Sequence, residues 1–186
     1  MGIARIMQCG WYKEVRIKDL DSHAIKALLV SRALLVKIKR DLEIAPTPRL
    51  TPKALVAPHA GYIYSGGVAP AAFATLRGSA ETIKRVVLIG PAHYVHVPGI
   101  ASPTVDAFET PLGHVPVDLA ALSTLADLEF VVTADGPHVP ENCLEVELPF
   151  LQSALASFQI VPLVVGDACR MMSPARGDVC GEVRKR

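Results

Sequence analysis

The sequence predicts an α/β protein with a mostly parallel central sheet and flanking helices. Short runs rich in β-branched residues, Arg85 to Ile89, Phe130 to Thr133 and Ile160 to Val165, read as strands buried on both faces. Segments rich in Ala and Leu lie between such runs. Strands alternating with helices in this way fit right-handed crossovers between parallel neighbours.

Taken in order, residues 1–50 are expected to form an N-terminal helical segment and a Pro-rich linker. Signals are weak over residues 1–20, where Trp11 and Tyr12 follow Gly10. From about Ser22 to Arg40, Ile25, Leu28, Leu29, Leu35 and Ile38 recur at roughly helical spacing, with Ser22 or Asp21 available as the N-cap. Pro46, Pro48 and Pro52 then break the helix. Residues 51–168 are expected to hold the α/β domain. Its first strand is read at Ala54 to Ala57, ending in Pro58, and its second at Arg85 to Ile89, ending in Gly90-Pro91. Helices are read at Gly67 to Leu76 and at Asp118 to Ala126. Leu144, Leu148, Leu151 and Leu155 form one further apolar stripe. Residues 169–186 read as an irregular basic tail. A parallel sheet whose strand at 160–165 is followed by nothing has an uncovered edge, so the chain is expected to be truncated relative to the fold it encodes.

Composition narrows the function. Slightly over half of the 186 residues are apolar, enough for one buried core, and the net charge of +1 gives no reason to expect nucleic acid or a membrane as partner. The four cysteines, at 9, 143, 169 and 180, form no C-x-x-C pair, and Cys169 and Cys180 read as free thiols. Ala27 to Val36 is interrupted by Arg32 and too short to span a bilayer, and Ile6 stands where a myristoylation signal wants Ser or Thr. A soluble, cytoplasmic protein is expected. No nucleophile elbow, phosphate-binding loop or dinucleotide fingerprint is present, so no organic cofactor is expected. Ser65-Gly66-Gly67 opens a helix and is a weak anion-site signal.

Two loops stand out. Pro58-His59-Ala60-Gly61-Tyr62 and Gly90-Pro91-Ala92-His93-Tyr94 each follow an expected strand directly. In open α/β sheets, ligands bind outside the carboxyl ends of strands, so the two imidazoles are expected to meet there. Imidazole binds borderline metals through one nitrogen while an acceptor fixes the other. The competing reading is two unrelated loop histidines. A third cluster contains His138, Glu141, Asn142, Cys143, Glu145 and Glu147 and follows the strand at 130–133. Glu141 or Cys143 supplies a ligand or general base, or else Glu141 and Glu145 simply mark a helix start where the dipole favours carboxylates. His96 reads as a structural or surface residue, His114 as a turn residue, and His23 has no evident partner. One of Tyr62 and Tyr64 is expected to face the pocket and the other to pack.

Five ordered blocks resemble the Memo family, which includes the AmmeMemoRadiSam system protein B group. They are Leu55 through Tyr62 with Tyr64-Ser65-Gly66, Leu88 through His93, Thr110-Pro111-Leu112-Gly113, Glu141 through Leu151, and Val161 through Gly166. The resemblance runs from about Pro52 to Gly166. It implies a fold similar to the class III extradiol dioxygenases of the LigB type, which hold non-haem iron with two histidines and a carboxylate. It also implies that His59 and His93 are pocket histidines and potential ligands of a transition metal, Fe or Cu, with Tyr62, Glu141, Asn142 and Cys143 lining the pocket. The chain departs from the family where Glu141-Asn142-Cys143 replaces Glu-His-Ser, which puts an amide in place of an imidazole. The family's further histidine and cysteine lie in a C-terminal region not present in this sequence, and two protein ligands bind a metal far more weakly than three or four. The expectation is a pocket for a metal ion, small molecule or peptide without full catalytic competence. The alternatives are a metal-dependent oxidoreductase and a truncated, inactive relative.

Overall fold

The architecture was read from a computed structural model that describes residues 20–46 and 52–167, with only the backbone for residues 20–28. The strands are β1 (Arg85–Pro91), β2 (Ile100–Ser102), β3 (Ala107–Thr110), β4 (Gly113–Pro116), β5 (Val131–Thr133) and β6 (Gln159–Val165). The helices are α1 (Leu20–Ile44), α2 (Tyr62–Ser65), α3 (Ala69–Ala74), α4 (Leu119–Leu125) and α5 (Leu148–Ala154). Residues 1–35 and 36–186 make two compact units, and the sheet lies in the second.

The main sheet has the order β1-β6-β2-β5. β1 and β6 pair in parallel from Arg85 opposite Gln159 to Pro91 opposite Val165. β2 runs antiparallel to β6 and parallel to β5, so two of the three pairings are parallel. β6 is an inner strand, and its residues 160 to 164 are all buried, as continuous β-branched runs in covered sheets should be. The expected helix at 118–126 forms, with the Asp118 carboxylate accepting from the Ala121 amide as its N-cap. The stripe Leu144, Leu148, Leu151 and Leu155 is buried throughout. Phe150 is fully buried and stacks on Phe73 with ring centroids 5.2 Å apart, and Tyr62 meets it edge-on at 5.9 Å.

Several expectations are corrected. Residues 54–57 form no strand: the segment makes no backbone hydrogen bond to β1, and Val56 is fully exposed. Pro52 and Pro58 bracket it, removing a donor at each end. β3 and β4 were not foreseen. They form an antiparallel hairpin turned by Gly113 at φ +114°, and His114 lies in β4 rather than in the turn. Strands of four residues leave too little alternation to register as a pattern. Asp21 and Ser22 fall inside α1, which begins at Leu20, so neither caps it. Only Ile38 and Leu42 of its described side chains are buried, while Leu29 is largely exposed. His23, Cys9, Cys169, Cys180, Trp11, Tyr12, Pro48 and the basic tail lie outside the residues whose side chains are described. Among the described residues, no helix is long and apolar enough to cross a membrane.

Replacing Phe150 with Ala is expected to cost roughly 3–5 kcal/mol in urea unfolding, because the ring is fully enclosed by Phe73 and Tyr62. The Asp118 carboxyl gives a pH signature. The Ala121 amide holds it below the usual range, burial works against this, and Arg85 assists. A lowered folded pKa adds stability that is complete above the unfolded value of about 3.9 and is lost as pH falls through the folded one. Asp118→Asn should therefore lower Tm at pH 7, with the gap to the parent closing toward pH 3.

Candidate functional site

The site grows from the carboxyl end of β1. Gly90 lies where β1 passes the Cys143 side chain, and a Cβ there would run into Sγ of Cys143 and the Leu144 methyl. The strand ends at Pro91, and the Ala92 amide donates to Val165 O at 2.8 Å, holding the turn against β6. His93 follows at once. On the other wall, the Gly61 carbonyl accepts from the amides of Tyr64 (2.8 Å) and Ser65 (3.1 Å), closing α2 and presenting His59 just before it. The rings of His59 and His93 stand 5.4 Å apart, tilted by 45°. Both line a pocket of about 1110 Å³, together with Tyr62, Glu141, Asn142 and Cys143.

Glu141 organises this pocket. Its side chain is buried, and its Oε2 accepts from the His93 backbone amide at 2.8 Å. Oε1 lies 2.9 Å from His93 Nδ1 and accepts from the Cys143 amide at 3.1 Å. Burial alone would raise this carboxyl, but the bonds from His93 and Cys143 outweigh it and bring it down to about 2. The group is thus ionised at neutral pH and serves as acceptor for Nδ1 of His93. Glu141 is therefore not at a helix start; the first turn after it begins at Glu145.

The route that delivers Glu141 also differs from the expected one. β5 runs opposite to β1, so its carboxyl end lies at the far end of the sheet. Asp135 anchors the return by accepting from the Thr104 amide (2.7 Å) and hydroxyl (2.6 Å). His138, buried beside Phe108, lies 3.2 Å from Ala101 O through Nε2, and burial pushes its pKa down. It is a structural residue outside the pocket.

The remaining members have distinct characters. Cys143 is buried, with Sγ 3.5 Å from Pro91 O; burial pushes its thiol up to about 12, and the Glu141 carboxylate adds to this. It is a neutral thiol, not a thiolate. Tyr62 is the pocket-facing tyrosine, pushed up to about 12 by burial and by the charge of Glu145, while Tyr64 is exposed. Asn142 is exposed at the rim. Glu109 and Thr110 of the hairpin form a wall that the sequence reading missed; the turn Thr110-Pro111-Leu112-Gly113 was its one visible signal. His96 is exposed and outside the pocket.

Ligand atoms of His93, Glu141 and Cys143 lie within 4.8 Å of one another, a spacing a metal ion can use. In their present arrangement, however, both carboxylate oxygens and Nδ1 are spent on mutual hydrogen bonds. His59 is not part of that group; its ring stands beside His93 across the pocket. Glu141→Gln should lower stability by roughly 1–3 kcal/mol in urea unfolding, because one amide oxygen cannot serve three donors and its NH₂ opposes them.

The pocket can be set beside known proteins. The model of the Memo-like protein family matches residues 30–185. A MEMO1 family protein of Ignicoccus hospitalis is 42% identical over 127 residues, which is 66% of this chain and 44% of that protein. One from Aquifex aeolicus is 36% identical over 141 residues, 75% of this chain and 51% of its own. The Protein memo-1 homolog of Caenorhabditis elegans is 37% identical over 123 residues, 64% of this chain and 35% of its own length. The chain spans about half the length of these relatives or less. Every pocket-lining residue, from Val56 to Pro149, falls inside the family match, and the chain belongs to the Memo-like protein family.

Proposed function

We propose that this chain is a Memo-family binding protein. In this reading its dioxygenase-like pocket takes a borderline transition-metal ion, Fe or Cu, or a small ligand through His59 and His93, without full catalytic competence. The observation that carries this reading is the grip of Glu141 on His93, with the second imidazole 5.4 Å away. A carboxylate on one ring nitrogen of a histidine fixes the tautomer and makes the other nitrogen a better donor. A bound ion would supply Lewis acidity or a redox couple; the chain's own part is to aim two imidazoles and to shape the cavity.

Catalysis is the weaker reading for a chemical reason. General acid–base groups work best with a pKa near the operating pH. Tyr62 at about 12 and Glu141 at about 2 are both far from neutrality. The carboxyl of Glu147 is pushed up by burial to about 7, but it lies outside the walls of this pocket. Two imidazoles without a third charged donor also leave most coordination positions open, which favours exchange over tight retention.

Calorimetric titration of the metal-free chain with Fe(II), Cu(II) and Zn(II) is expected to show one site, with Kd roughly 10 µM to 1 mM. His59→Ala and His93→Ala should each abolish it. Binding that survives both substitutions would sink the reading. Sub-micromolar affinity lost in both would show that the site is more complete than two imidazoles make it. Ring cleavage of catechol above the rate of free iron would restore the oxidoreductase alternative.

A further inference from the structure

The loop that carries Glu141 is fastened to the end of β1 by a clasp with three contacts. Glu141 accepts from the amide and lies against the ring of His93, the Cys143 thiol stands 3.5 Å from Pro91 O, and a Leu144 methyl lies over Gly90. Each step forward along residues 90–93 is met by a step back along 144–141. This is the register of two antiparallel strands, although the bonds here run through side chains. Such a register fixes the loop along its length; the carboxylate alone would let it pivot.

The middle contact bears on the chemistry. Cys143 is only 3% exposed, and it occupies space that β1 leaves open at Gly90, where a Cβ would run into Sγ. Its S–H has two acceptors in reach, Pro91 O and the Glu141 carboxylate, and its own amide donates to Oε1 of Glu141 at 3.1 Å. A thiol that spends its proton on neighbours is an anchor. The thiolate is the form that binds a metal, and burial together with the Glu141 charge opposes ionisation here. The closeness of His93, Glu141 and Cys143, within 4.8 Å, thus follows from their being one hydrogen-bonded unit.

We infer that Cys143 is a positioning residue of the imidazole pair and not one of its ligands: seated under Gly90 and donating to Pro91 O, it holds the Glu141 loop in the register that clamps His93. This role deepens the two-imidazole reading of the pocket and rests on it only for its effect on metal binding; the clamp itself belongs to the protein alone. Gly90 shares the role, since any side chain there would push Cys143 and the loop away from the strand end.

The test follows the His93 amide, whose acceptor is Oε2 of Glu141. Its hydrogen exchange is measured in the metal-free full chain for the parent, Cys143→Ala, Cys143→Ser and Gly90→Ala. Cys143→Ala is expected to speed exchange at His93 roughly tenfold, while the Val161 amide in the β1–β6 ladder stays within about twofold of the parent. A general loss of stability would speed both. Cys143→Ser keeps a donor for Pro91 O and should hold His93 within about threefold of the parent. Gly90→Ala removes no donor but displaces Sγ, and should behave like Cys143→Ala. With Co(II) added, the parent and Cys143→Ser should give the same absorption spectrum. Unchanged exchange at His93 in Cys143→Ala overturns the assignment, as does equal acceleration at His93 and Val161, or Cys143→Ser exchanging as fast as Cys143→Ala. A thiolate-to-cobalt charge-transfer band that Cys143→Ser removes would make the sulfur a ligand and overturn it too. The exchange measurements need no bound ion, so a failure of the two-imidazole site shows in the metal titrations and leaves this result standing.

Discussion

A buried carboxylate with no Lys or Arg paired to it among the described residues is the constraint around which the rest of this structure is arranged. Removing an ionised Glu from water costs several kcal/mol unless hydrogen bonds replace its hydration. Glu141 meets that requirement with two backbone amides and one imidazole, all from residues fixed by other contacts. His93 is positioned by the end of β1 and its parallel pairing with β6, and Cys143 by its packing under Gly90. The carboxylate thus ties the strand end, the loop at 134–144 and the start of the α5 stripe into one unit. The aim of His93 is a by-product of satisfying a buried charge. Preorganisation of this kind lets a weakly furnished site keep its geometry without a ligand.

The sheet explains why the pocket sits where it does. Because β2 and β5 run against β1 and β6, only β1 and β6 present carboxyl ends at the histidine side. The loops that build the pocket are therefore of mixed origin: one strand-end loop, one turn before α2, one hairpin and one returning segment. The usual rule for ligand sites in α/β sheets accounts for His93 and not for His59. At the other side of the sheet, β1 ends the strand order, so one of its edges has no strand partner among the described residues.

The functional picture follows from the charge states. A thiol held neutral, a phenol held neutral and a carboxylate held ionised line the cavity together with the two imidazoles. The Memo-like family model matches all the residues that line this cavity, and the relatives are matched over about half of their own length.

The sequence by itself determined the α/β class, the strands β1, β5 and β6, the helices α3, α4 and α5, and the presence of His59 and His93 in loops that meet. These features are local: β-branched runs, Leu spacing, and small residues around each imidazole are all written within a few positions. Tertiary structure decided the rest. The partnership of Glu141 with His93 spans 48 positions and is invisible to any window of sequence, so the same Glu reads equally as a helix-start residue or a base. The segment 54–57 has the composition of a strand, yet it makes no backbone hydrogen bond to β1 and so forms none. The direction of β2 against β6, which sends the loop after β5 the long way round to the pocket, is set by how elements pack, and no single element encodes it.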